Sequence, residues 1–376
     1  MKLFGKKKDS AAPALQTADG RERFIPGQLK DAYAGGCERR LYRSLRESIP
    51  VIDAAIYKIV RLTGGFSVEC SNSNAQAMMD SFVSDVNVNG ISSGLESFIA
   101  EYLEQLLTYG TAVGEMLVGS GGICGLYNSS LDYVGIEMGE DPLQLKIFAL
   151  NGLGGKREVE YPELVLCSAI MPEPGRLYGT SILRGLPFVS DILMKILTAV
   201  GNNWDRIGNV RFAVTYKPGE NERSFAKDRA MQIASEWTKA MKSREPKDFV
   251  AVGDVSIHAI GADNIVPDSS VPVRQILEQI TAKLSIPPFL LGLSWSTTER
   301  MSSQQSDMLT SELEYYRRIL GGVIRRICRM QLKLSGFGGT CRVKWDNINL
   351  QDEVELAKAR LYNAQAEETE NRTRKE

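Results

Sequence analysis

Histidine is nearly missing from this 376-residue chain, which holds only His258. Ser-His-Asp or Cys-His catalysis and multi-histidine metal sites could draw on that residue alone. It alternates with Ile257 in the strand-like run VSIHAI, which reads as a surface strand position. HExxH, EF-hand and Walker patterns are also missing. The run LNGLGGK comes nearest to a phosphate loop. It has Leu150 where that loop needs glycine and Arg157 where it needs serine or threonine. Carboxylates are plentiful, but pairs such as Asp352-Glu353 lie in charged helical sequence and read as a solvated face. The residues therefore point to no catalytic centre and no cofactor or metal site, and the chain is expected not to be an enzyme.

Other absences narrow the class further. The 45 basic and 46 acidic side chains leave a net charge of −1. Tight nucleic-acid binders carry a basic excess, because phosphate neutralisation drives their affinity. This balance speaks against strong grip, though not against a neutral conduit. The six cysteines, Cys37, Cys70, Cys124, Cys167, Cys328 and Cys341, form no CxxC pair and read as free thiols in a reducing cytosol. No apolar run reaches the ~18 residues of a membrane span, so no membrane partner is expected. The start, MKLFGKKKDS, is basic without a following apolar stretch, unlike a secretory signal.

The residues that are present read as α+β. Residues 1–44 are polar or small and read as a flexible arm. Helical spacing begins near Ser48 and covers Ile52, Ala55, Ile56, Ile59 and Val60, ending at Gly64-Gly65. FSVEC reads as a strand, 75–86 as a helix, and 95–109 as a stronger helix stopped by Gly110. TAVGEMLVGSGGICGLYNSS reads as a hairpin, with YVGIEM, LQLKIFAL and REVEY as further strands. MPEPGRLYGTSIL marks a boundary. A helix capped by Thr180 or Ser181 comes after it, and Pro187 fits the first turn of the main helix, with Phe188, Val189, Ile192, Leu193, Ile196, Leu197, Val200, Trp204 and Ile207 along one face. Next comes a β-α-β-β module of about 60 residues, small enough that it should lean on something else, such as copies of itself.

The run 271–334 is the organising stretch: helix, double proline, polar loop, long helix. Pro287-Pro288 should end the first helix and stiffen the start of the loop. The loop holds Ser294, Trp295, Ser296, Thr297, Thr298, Glu299 and Arg300. Its hydroxyls and single charge pair suit either transient nucleic-acid contact or an ordinary surface loop. In the long helix, Gly321-Gly322 marks the expected bend. Arg317, Arg318, Arg325, Arg326 and Arg329 read either as a phosphate-facing or inter-subunit surface, or as a solvated face paired with Glu312 and Glu314.

The order of these elements resembles the portal proteins of tailed bacteriophages. The resemblance rests on Tyr109-Gly110 before a strand pair, Tyr178-Gly179-Thr180-Ser181 opening a long helix, Gly208-Asn209 leading into a strand, and LSIPPFLLG before a Ser/Thr-rich loop and a long helix. It spans about residues 45–350. It implies a twelve-fold ring at a capsid vertex. The implied layout is a wing at 45–177, stem helices at 178–208 and 270–286, and an inserted clip at 209–269. A DNA-facing tunnel loop at 287–302, a long kinked helix with a wing strand at 303–350, and a reduced crown at 351–376 complete it. It also implies a virion location after assembly in the bacterial cytoplasm. The partners it implies are further copies, double-stranded DNA in transit, the terminase large subunit, a head–tail connector or adaptor, and the major capsid and scaffold proteins. The expected function is genome packaging and ejection. A structural adaptor of smaller symmetry and a DNA-processing enzyme are the alternatives.

Overall fold

The computed structural model describes residues 36–141, 144–150, 155–208, 211–217, 226–242, 254–260, 268–293 and 299–348. The chain divides into one unit of 1–190 with 276–376, and a second of 191–275.

The first unit is built on α4 (Leu95–Tyr109). Its residues Leu95, Phe98, Ile99, Tyr102, Leu103, Leu106 and Leu107 are all buried, the stripe expected from their helical spacing. Gly110 closes it in the left-handed conformation at φ 77°, where a side chain would be strained. α4 packs on a five-stranded sheet ordered β3-β2-β5-β4-β9. Its strands are β2 (Asn87–Val88), β3 (Ser92–Ser93), β4 (Thr111–Gly119), β5 (Gly122–Ser129) and β9 (Val165–Ala169). Gly114 in β4 leaves room for the Phe98 ring, which a Cβ there would meet at 2.6 Å. A second sheet holds β6 (Val134–Met138), β7 (Leu145–Leu150) and β8 (Lys156–Glu158). Two more helices, α2 (Pro50–Thr63) and α3 (Ser73–Asp85), also pack on α4.

The strand β9 is not among those expected from the sequence. VLCSA is a short run without alternation, and it pairs antiparallel with β4 while its first two residues are buried. The arm is also shorter than expected. α1 (Gly36–Ser48) is a helix, with Tyr42 and Leu45 buried at i, i+3 spacing. Arg46 anchors it, 2.7 Å from both Asp53 and Glu104. Residues 1–35 lie outside the described residues.

The last helix, α8 (Glu299–Leu334), crosses the first unit and packs on α2, α3, α4, β5 and β9. Leu309, Leu313, Leu320, Ile324, Ile327, Cys328 and Leu332 are buried along it. The helix continues through Gly321-Gly322, and no break falls there. After it, β12 (Cys341–Trp345) pairs antiparallel with β1 (Phe66–Cys70), tying the beginning of the unit to its end.

In the second unit, β10 (Arg211–Lys217) and β11 (Asp254–Ile260) form an antiparallel pair, with α6 (Ala226–Lys242) between them in sequence. The expected further strand DFVAV lies outside the described residues. The cuts between the two units fall within α5 (Leu186–Gly208) and α7 (Ser270–Lys283).

Candidate functional site

The two Tyr-Gly segments, about 70 positions apart in sequence, meet in space. Gly110 O accepts from Ile170 N–H at 2.8 Å, and Ile170 O accepts from Thr180 N–H at 2.7 Å. Gly179 N–H donates to Thr111 Oγ1 at 2.8 Å. Ser181 Oγ donates to Thr108 O at 2.7 Å and accepts from Leu183 N–H at 3.0 Å. Ile182 N–H reaches Leu107 O at 3.3 Å, which satisfies a carbonyl that the end of α4 leaves open. Tyr178 Oη takes Ile136 N–H at 3.0 Å. Residues 178–183 are thus sewn to the end of α4 and the edges of β4 and β9. α5 begins at Leu186 with Pro187 in its first turn, as expected. That is eight residues into the span that the resemblance assigns to the stem, because 178–183 spends its backbone groups on the seam. Ser181 serves that seam and does not cap α5. The seam sets where α5 leaves the first unit, so it is a positioning device for that helix.

The base of the proline loop is equally fixed. α7 stops at Lys283, before the prolines. Ser285 is left-handed at φ 52°. Ser285 N–H donates to Ala282 O and Ile286 N–H to Thr281 O, both at 3.2 Å, the paired bonds of a Schellman ending. Leu284, Ile286 and Pro287 are buried. Pro288–Leu291 then form a short 3-10 helix against α2. Ser294, Trp295, Ser296, Thr297 and Thr298 lie outside the described residues. Glu299 and Arg300, expected in the loop, are the first turn of α8. A glutamate there opposes the positive end of the helix dipole, which favours starting the helix at that point.

The arginines of α8 do not form one surface. Successive residues on a helix are turned by about 100°, so adjacent arginines diverge. Arg317 is 5% exposed, and its Nε and Nη2 donate to Thr63 O at 2.8 and 2.6 Å. Its guanidinium stacks 5.1 Å from the Trp345 ring, and Glu314 stands 3.9 Å away. Burial holds its pKa below the usual arginine range, with Glu314 and Asp346 acting the other way. Arg317 therefore caps the C-terminus of α2 from within the chain and faces neither phosphate nor neighbour. Arg326 donates to Glu163 O at 2.9 Å. Arg318 rests over Tyr315 at 5.9 Å, and it and Arg325 stay exposed.

Removing the Arg317 head would leave the last carbonyl of α2 and the Trp345 face without their cation. Arg317→Ala is expected to lower stability by about 3 kcal/mol, and Arg318→Ala by under ~0.5 kcal/mol, read from urea unfolding midpoints. Equal effects would contradict the cap. Sequence reasoning also misses Gln331. Its Oε1 accepts Ile123 N–H at 2.7 Å and pins α8 to the β4–β5 hairpin. The available signal is a polar residue one turn beyond Ile327 within the apolar stripe.

In the second unit, Leu193 on α5 is buried. On α6, Ile233 and Trp237 are half-buried, while Ala230 and Ala234 are exposed. On α5, Met194, Leu197 and Trp204 are 42%, 49% and 63% exposed. Their i, i+3, i+10 spacing puts them on one face. Of the apolar face read from the sequence, Leu193 is buried, Ile192, Ile196 and Val200 are half-buried, and Leu197 and Trp204 are exposed.

No family model matches the chain, and no curated protein matches it by sequence. Solved structures do match. A chain in the neck of a native GTA particle, computed with C12 symmetry, is 14% identical over 92% of this chain and 91% of that one, at a TM-score of 0.67. A chain in the virion of a native gene transfer agent particle matches over 87% and 88% of the two chains, with 14% identity and a TM-score of 0.63. This chain shares the fold of these particle chains. An HK97-family phage portal protein from Corynebacterium diphtheriae also aligns, with 12% identity over 81% and 95% of the two chains, but at a TM-score of 0.46 that likeness carries no weight. A fold kept at 14% identity must rest on burial pattern and backbone crossings more than on particular side chains. Among the described residues, no helix of it is long and apolar enough to cross a membrane.

Proposed function

We propose that this chain is the subunit of a portal ring. Copies assemble around a central channel at one vertex of a phage-type capsid. Double-stranded DNA enters and leaves through that channel, driven by a separate terminase motor, and a head–tail connector docks on the ring. The subunit itself catalyses nothing.

One observation carries the reading. In the unit at 191–275, about a fifth of the chain, α5 shows the apolar side chains of Met194, Leu197 and Trp204 to water. Lobes this small need a second surface to be stable. Neighbours in a closed ring supply it, because each heterologous contact repeats until the rotation closes. The likeness to a neck chain computed with C12 symmetry supports a twelve-fold ring in particular. The near-zero net charge suits a channel whose cargo must slide.

The proline-anchored loop is the channel contact in this reading. Its base is rigid, so shortening it should not disturb the fold. Deleting 294–298, and leaving Glu299 and Arg300 in α8, is expected to preserve ring assembly while most particles remain unfilled. The measurement is the ratio of DNA-filled to empty particles by density gradient. A wild-type ratio would remove the channel role from the loop. Failure to assemble would count against the reading of the loop as a free finger.

A further inference from the structure

Three of the cysteines meet beneath the β1–β12 ribbon. Cys70 and Cys341 are direct cross-strand partners. Asp346 N–H donates to Gly65 O at 3.1 Å, which makes 65 and 346 a hydrogen-bonded pair. Alternation along an antiparallel ladder then makes Cys70 and Cys341 a non-hydrogen-bonded pair. The Cys70 N–H agrees, since it donates to Gln76 Oε1 at 2.6 Å instead of across the ladder. In such pairs the Cα atoms stand about 4.5 Å apart, within the span a disulfide bridges. Both residues lie on the inward face of the ribbon: Phe66 and Val68 alternate with Cys70 on it, and Cys341 is 6% exposed. Cys328, fully buried on α8, interacts with both Cys341 and Cys70. No group of side chains among the described residues has a geometry that could hold a metal, so these thiols do not form a metal site.

The surroundings separate the thiols of Cys341 and Cys328. Cys328, helped by the charges of Arg329 and Arg325, lowers the pKa of Cys341 against the effect of burial. Cys341 and burial push Cys328 up. The lowered pKa favours the thiolate of Cys341, which is the form that reacts.

We propose that Cys341 is a peroxide-reactive thiol and that Cys70 resolves it, closing a Cys70–Cys341 disulfide across the ribbon. The Cys341 thiolate attacks one oxygen of hydrogen peroxide. An S–O bond forms as the O–O bond breaks, and the departing hydroxide takes a proton and leaves as water. Cys341 is now a sulfenic acid, oxidised by two electrons. Cys70 gives up its proton and attacks the Cys341 sulfur, forming S–S as S–O breaks, and a second water leaves. Two thiols and one peroxide become one disulfide and two waters. The bond would fasten the strand after α2 to the strand after α8 covalently. This inference stands apart from the proposed ring function.

The test treats the purified full chain with hydrogen peroxide at neutral pH, blocks remaining thiols with iodoacetamide, and maps peptides without reduction. A linked Cys70–Cys341 peptide is expected, with Cys124 still alkylated and Tm raised by about 5 °C. Cys70→Ser should leave Cys341 as a sulfenic acid that dimedone traps, and Cys341→Ser should form no linked peptide. A Cys328–Cys341 link, oxidation confined to Cys124, or Cys70 and Cys341 both remaining alkylatable would overturn the proposal. Should the variants fold poorly, the wild-type chain decides. Alkylation of Cys341 should be half-maximal at a pH below the ordinary thiol value, and a midpoint at or above that value would overturn it.

Discussion

Gly179→Ala is expected to cost about 4 kcal/mol or more, enough to leave much of the chain unfolded or insoluble. A Cβ at 179 would sit 2.6 Å from both the nitrogen and the oxygen of Ile170 and would overlap Gly110 O. All of these are backbone atoms held by the seam bonds, with Gly110 O accepting from Ile170 and Ile170 O from Thr180. No flexible side chain can yield, so the two backbones must part. Parting them breaks the bonds that set the start of α5. Gly322→Ala is the natural contrast. A Cβ there meets nothing within 4 Å, on an exposed helical position. It should gain about 0.8 kcal/mol from the better helix former. Urea unfolding of both variants checks the pair. A Gly179→Ala chain of wild-type stability would mean the two Tyr-Gly segments do not cross as described.

The second large effect concerns assembly and leaves the fold alone. Leu197→Asp together with Trp204→Asp is expected to abolish ring formation. Both side chains are about half exposed or more in the single chain, so their loss should move its unfolding midpoint little. Between neighbours, burying a large apolar side chain contributes about 2 kcal/mol, so two substitutions weaken each contact by ~4 kcal/mol, nearly a thousandfold. Every contact in the ring takes the same loss. Sedimentation velocity and circular dichroism on the double variant separate the outcomes. Rings that form normally would show that the α5 face is not the shared surface, and an unfolded chain would show that it is internal after all.

The contrast between these sites explains what could be read from the chain alone. α4 is legible to the residue because its apolar stripe and Gly110 are local signals, and β1, β4–β8 and β10–β12 emerge from local alternation and turns. The seam is not legible as a contact. Tyr109-Gly110 and Tyr178-Gly179 each show only that a glycine is present. That one glycine lacks a Cβ because the other's backbone occupies its place is a long-range fact. The same holds for Arg317. A row of arginines on a long helix looks uniform in sequence, yet one helical position turns inward under Thr63 O and its neighbour turns out. The start of α5, with Pro187 in its first turn, is legible, but no helix capped by Thr180 or Ser181 precedes it, because backbone bonding to another segment outcompetes helix propensity across 178–185. α7 ends earlier because a left-handed Ser285 closes the helix two residues before the prolines restrict it. For the second unit, the sequence pattern identifies an apolar face on α5 correctly and implies a partner beside it. The chain holds no such partner for Trp204 among its described residues.

The central claim is a closed ring of these subunits around an open channel. Electron cryomicroscopy of the assembled protein, viewed end-on, tests it most directly. The account predicts twelve copies around a central opening, with Leu197 and Trp204 covered by the adjacent subunit and the segment after Leu293 lining the hole. Subunits that stay monomeric even in the presence of capsid and scaffold proteins, or a ring in which the α5 face remains in solvent, would contradict it.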